Sequence, residues 1–90
     1  MRITVIIGKR VDKAGKEQWE TITGASPDID AQCAIYNQII ARNGEVDTTG
    51  KNGKTYTRKY EEIYMLDSNR PYRRRRFGAV ELVFTLDGTK

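Results

Sequence analysis

The stretch Ser26-Pro27-Asp28-Ile29-Asp30-Ala31-Gln32-Cys33-Ala34-Ile35-Tyr36-Asn37-Gln38-Ile39-Ile40-Ala41-Arg42-Asn43-Gly44 decides the fold. Its start has a mechanism: Ser26 can cap a free amide, Pro27 suits the first helical position, and Asp28 and Asp30 sit at the positive end of the helix dipole. Ile29, Cys33, Tyr36 and Ile40 recur at spacings of four, three and four, drawing one apolar stripe that Ile35 and Ile39 widen. Arg42 in the last turn and Gly44 just beyond supply the stop signals. The pattern predicts a helix over residues 27–43, and its stripe must be buried against another layer.

Strand signals lie on both sides. Upstream, Ile3-Thr4-Val5-Ile6-Ile7 is β-branched and alternating, with Ile3, Val5 and Ile7 on one face. A charged turn, Asp12-Lys13-Ala14-Gly15-Lys16, precedes a second alternating run, Gln18-Trp19-Glu20-Thr21-Ile22-Thr23, and the pair predicts a hairpin. Downstream, residues 45–54 read as loop, in which Asn52-Gly53 is a turn dipeptide able to close a small hairpin. Residues 55–66 fit two patterns. As a strand they place Tyr56, Tyr60, Tyr64 and Leu66 on one face and Ile63 and Met65 on the other; as a helix they group Tyr60, Ile63 and Tyr64. Their aromatic and threonine content favours the strand. Residues 77–86 alternate cleanly, with Val80, Leu82, Phe84 and Leu86 inward. The order strand, strand, helix, strand, strand predicts an α+β fold. It is a two-layer sandwich, a four-stranded and mainly antiparallel sheet (β-β-α-β-β) with one helix packed on one face.

Ninety residues make one domain spanning 1–90, burying about 60–65% of the unfolded surface. Cys33 is the sole cysteine and histidine is absent, so neither an intramolecular disulfide nor a Cys/His zinc site can form. The first residues do not read as a signal peptide, and no apolar run approaches the roughly 20 residues of a membrane span. These features predict a reducing, cytoplasmic setting without a membrane span or cofactor.

The net charge of +4 is unevenly spread: residues 25–50 carry one cation and four acids, residues 51–76 nine cations and three acids. The excess centres on Asn69-Arg70-Pro71-Tyr72-Arg73-Arg74-Arg75-Arg76-Phe77. Like charges so crowded repel one another unless they are fully solvated or meet an anion. In the predicted topology this segment is the loop of the second hairpin, residues 67–76, and it is longer than chain reversal needs. Guanidinium forks match phosphate oxygens, and an aromatic beside them can stack on an unpaired base. Arg70, Tyr72, Arg73, Arg74, Arg75 and Arg76 are therefore candidate nucleic-acid-binding residues, with Arg58 and Lys59 extending the patch. The expected contact is with the phosphate backbone, at low sequence specificity. An acidic protein surface or anionic lipid would satisfy the same arginines, and the plainest alternative is a solvated loop paired to Glu61, Glu62 and Glu81. Alternation adds one condition. If the last strand began before Phe77, Arg74 and Arg76 would share a face with Val80, leaving Arg73, Arg75 and Phe77 on the other.

Catalytic sets are hard to assemble. Gly53-Lys54-Thr55 imitates the end of a phosphate-binding P-loop, but the glycine required five residues earlier is Thr48. Cys33 falls on the core stripe, Asp28 and Asp30 serve the helix dipole, and the neighbours Glu61 and Glu62 would face opposite ways on a strand. The expectation is a non-enzymatic binding module. Its alternative is a protein-binding or self-assembling accessory module, of a size common among phage and mobile-element proteins. That module would use a sheet edge or Trp19, Tyr56, Tyr60 and Tyr64, and could form a homodimer. Trp19 would be exposed if the helix covers the face carrying Ile22.

Overall fold

The computed structural model describes residues 1–77. Two long antiparallel strands open the chain, β1 (Thr4–Val11) and β2 (Glu17–Ser26), in a register that sets Lys9 opposite Trp19. The Asp12 carboxylate fixes their turn by accepting the amides of Ala14 and Lys16, both at 2.9 Å. The helix α1 (Ile29–Ala41) follows, then β3 (Glu45–Thr49), β4 (Thr55–Lys59), β5 (Glu62–Asp67) and β6 (Arg73–Arg76). The main sheet has the order β2-β1-β5-β6, antiparallel throughout, while β3 and β4 pair separately. The expected α+β architecture, one helix with a four-stranded antiparallel sheet, is present.

Three local expectations change. Residues 45–49 are strand and not loop, because they pair with residues 55–59 across the turn at Asn52-Gly53, where Gly53 adopts φ 80°. Residues 55–66 are extended, as the tyrosines favoured, but they form two strands in two sheets. The break falls where the Tyr60 amide donates to the Gly44 carbonyl and the Glu61 amide to the Lys9 carbonyl. At the helix start, Asp28 and not Ser26 is the cap: its carboxylate accepts the Ala31 amide at 3.1 Å, while the Ser26 hydroxyl accepts the Asp28 amide. Ser26 is still paired with Thr4 at the end of β2, so its backbone belongs to the sheet. The expected strand over residues 77–86 lies, beyond Phe77, outside the described residues, as does Glu81.

The helix buries Gln32, Tyr36 and Ile39, with Cys33, Ile35 and Ile40 at the margin of the core. Against it pack Ile6, Tyr60, Ile63, Met65 and Phe77. Ile3, Val5 and Ile7 do share a face, but it is the face away from the helix; Thr4, Ile6 and Gly8 are the buried set of β1. Gly8 is needed there, since a Cβ would stand 2.5 Å from the Tyr60 ring that lies on it. Gln32 is polar yet at home: its amide donates to the carbonyls of Thr4 (2.9 Å) and Gly24 (3.2 Å), tying β1 to β2 where their register shifts. At the helix end Asn43 and Gly44 turn left-handed (φ 58° and 93°), and the Gly44 amide donates to the Ile39 carbonyl.

Candidate functional site

The four arginines do not form a hairpin tip. They are the strand β6, paired with β5 so that Met65, Ile63, Tyr64 and Glu62 oppose Arg73, Arg75, Arg74 and Arg76 respectively. The physical reason lies in β5. Its one edge is taken by β1, and its other edge offers backbone donors and acceptors that any extended segment can satisfy. Arginine on β6, the outermost strand among the described residues, meets these bonds with its backbone and leaves its charge in water. The connection shrinks to residues 68–72, which Asp67 anchors by accepting the Asn69 amide and three bonds from the Arg2 guanidinium. Exposed Arg70 lies in this connection.

Alternation along β6 divides the charge between two faces. Arg73 and Arg75 lie on the helix side near Tyr36, whose hydroxyl is pushed up by burial while these two cations pull it down. Arg74 and Arg76 lie on the opposite face with Tyr64 and Glu62. Arg74 stands beside the Tyr64 hydroxyl, which holds its guanidinium above its ordinary pKa. Glu62 is engaged by Lys9 at 2.9 Å, which, ahead of the Tyr64 hydroxyl, keeps its carboxyl below the usual range. All four arginines are exposed, and among the described residues neither they nor Arg70 form an ion pair.

The same face carries a row of aromatic rings. Trp19 on β2 and Tyr64 on β5 have centroids 5.5 Å apart, and Tyr72, just before β6, lies 5.7 Å beyond Tyr64. Neighbouring strands are about 4.8 Å apart and β1 runs between β2 and β5, so the Trp19 indole must reach across β1 to meet Tyr64. Trp19 is 54% and Tyr72 59% exposed. Trp19 stands outside because the helix covers the face of Ile22, as the sequence condition required. The residues were legible one by one; their convergence depends on the strand order, which no local pattern carries.

The remaining candidates lie elsewhere. Arg58 on β4 sits over the Tyr56 ring at 5.2 Å and donates to Glu20 at 2.7 Å, at the edge of the sheet opposite β6. The Lys59 ammonium donates to the Asn43 carbonyl. Tyr60 is core, Tyr56 is an exposed residue of the β3-β4 hairpin, and Tyr64 belongs to the aromatic row, so the three tyrosines share no face. A cleft between β2 and β3 is lined by Ile22, Val46, Glu20, Asp47 and Arg58, but its charged groups are already paired, Glu20 with Arg58 and Asp47 with Arg42.

Glu20, which composition did not single out, joins the two sheets. It accepts from Arg10 (2.8 Å), the Tyr60 hydroxyl (2.8 Å) and Arg58. The Arg10 bond foremost, then those from Tyr60 and Arg58, hold its carboxyl down at about 2 against the opposing effect of burial. A carboxyl depressed in the folded state stabilises fully above its unfolded value of about 4.5, and loses that contribution as pH falls toward 2. Glu20→Gln is expected to lower stability at pH 7 by about 1–3 kcal/mol, leaving two guanidiniums without their anion. In urea titrations the deficit should shrink steadily below pH 4.5. A deficit independent of pH would show that the carboxylate charge is not what matters.

Comparison with protein-family models, curated proteins and solved structures finds no match to this chain.

Proposed function

We propose that this chain is a non-enzymatic binding module that engages the phosphate backbone of DNA or RNA through β6, acting in a reducing cytoplasmic compartment. One contrast carries the reading. Arg2, Lys9, Arg10, Arg42 and Arg58 are each paired with a carboxylate of the same chain, whereas Arg73–Arg76 stand extended and exposed with no ion pair among the described residues. A folded edge that keeps four guanidiniums together has already met the repulsion that a flexible loop would relax, and a polyanion relieves it. Phosphate contact of this kind releases counterions and is indifferent to base sequence.

Binding to mixed-sequence oligonucleotides should fall steeply as salt rises from about 50 to 200 mM, with little difference between sequences. A flat salt dependence would exclude the reading. A second reading has its own observation: Val11, Leu66, Trp19 and Tyr72 are exposed apolar residues on the face away from the helix, a surface that a second copy could cover. Sedimentation decides between them. A stable dimer with no affinity for oligonucleotides at low salt would favour self-assembly.

A further inference from the structure

We infer that the nucleic acid is single-stranded, its unpaired bases stacking on the row Trp19–Tyr64–Tyr72 while Arg74 and Arg76 hold the adjoining phosphates. The inference rests on the phosphate-binding reading above and adds the class of ligand.

The rings and the cations form one surface. Tyr72 and Arg74 are two residues apart on an extended segment, and Arg74 is in register with Tyr64 and beside its hydroxyl. Aromatic side chains have much to gain from burial, yet two of these three keep more than half their surface in water. Among the described residues no helix lies over them, since α1 occupies the other side of the sheet. A duplex could use the arginines but not the rings, because its base faces are hidden in its own stack. A single strand offers a π-face with every nucleotide, and stacking on an aromatic is tolerant of sequence.

The charge distribution also sets the direction of the path. At the β6 end Arg74 and Arg76 lack ion pairs among the described residues. At the β2 end Lys9, opposite Trp19, is already held by Glu17 and Glu62. The strand is therefore held by its phosphates at the β6 side and runs from there across β5 and β1 toward Trp19, with at most one base per ring.

Trp19 is the sole tryptophan, so its fluorescence reports directly on the row. The test compares an oligonucleotide of about 12 nucleotides with the duplex of the same sequence at about 50 mM salt, by Trp19 quenching and by anisotropy. The single strand should quench Trp19 and bind at least about tenfold more tightly than the duplex. Tyr72→Ala, at an exposed ring, should weaken single-strand binding about tenfold and leave duplex binding and the salt slope unchanged, while Tyr72→Phe restores it. The double variant Arg74→Gln/Arg76→Gln should instead lower the slope for both ligands. Equal binding of strand and duplex, with Trp19 unquenched, overturns the stacking row but leaves the phosphate reading standing. Absence of salt-dependent binding to either ligand removes both. A concentration-dependent change in Trp19 emission without nucleic acid would assign the face to a second copy and overturn the inference.

Discussion

Replacing Arg73, Arg74, Arg75 and Arg76 together with glutamine is expected to cut affinity for a mixed-sequence oligonucleotide by about a hundredfold or more at 50 mM salt. The dependence of log affinity on log salt should flatten by roughly three if all four meet phosphates and by about 1.5 if only Arg74 and Arg76 do, since each phosphate contact contributes about 0.7–0.9 to that slope. The fold should survive. All four side chains are exposed and none is ion-paired among the described residues, and the ladder with β5 uses only backbone groups. Circular dichroism and the urea midpoint check that point, and anisotropy titrations at several salt concentrations measure the slope. Splitting the set is informative, because Arg74→Gln/Arg76→Gln should do more harm than Arg73→Gln/Arg75→Gln if the ligand lies on the face of Tyr64. An unchanged slope in the fourfold variant would remove β6 as the contact.

The largest expected loss of stability comes from one methyl group. In Gly44→Ala the new Cβ would stand 2.6 Å from the Tyr60 carbonyl oxygen and 2.8 Å from the Phe77 ring, at φ 93°. Neither neighbour can yield easily. The Tyr60 amide donates to the Gly44 carbonyl, and the Phe77 amide donates to the Glu61 carbonyl, so both flanks of the gap are pinned. Left-handed strain of about 1 kcal/mol and overpacking of about 1–3 kcal/mol together give roughly 3 kcal/mol. For a domain of this size that lowers the melting temperature by about 10–20 °C, measurable by calorimetry. Gly53→Ala is the control. Its φ is equally positive, at 80°, but nothing lies within 4 Å of the added carbon, so only the backbone strain of about 1 kcal/mol remains. Equal losses in the two variants would mean that packing around Gly44 is looser than the geometry demands.

Local chemistry was legible in this sequence, and long-range assembly was not. The helix announced itself by its stripe, the first hairpin turn by the charged, Gly-containing segment 12–16 and the second by Asn52-Gly53, because these signals act over a few residues. The stripe nevertheless centres on Gln32, Tyr36 and Ile39, a rotation no periodicity alone could fix, since Gln32 is held by two carbonyls of the sheet. The alternation read over residues 55–66 hid a break between two sheets, which sends Tyr60 into the core and Tyr64 to the opposite face, because the break is made by Gly44 and Lys9, partners distant in sequence. Charge density argued for a loop at residues 73–76, but an edge strand needs only a neighbour's free backbone. Sequence inspection noticed Tyr72, Tyr64 and Trp19 separately and grouped Tyr64 with Tyr56 and Tyr60. Only the order β2-β1-β5-β6 joins the correct three.

That order also bears on how the chain is made. Of the two central strands, β1 is synthesised well before its partner β5: Arg2 and Asp67, which clasp at one end of the pair, are 65 residues apart. At about 5–20 residues per second the ribosome needs roughly 3–13 s to deliver that partner, whereas the β1-β2 hairpin closes within microseconds. For those seconds the backbone edge of β1 from Thr4 to Lys9, which β5 later covers, stands unpaired, and that is the interval in which a chaperone or a neighbouring nascent chain would find it.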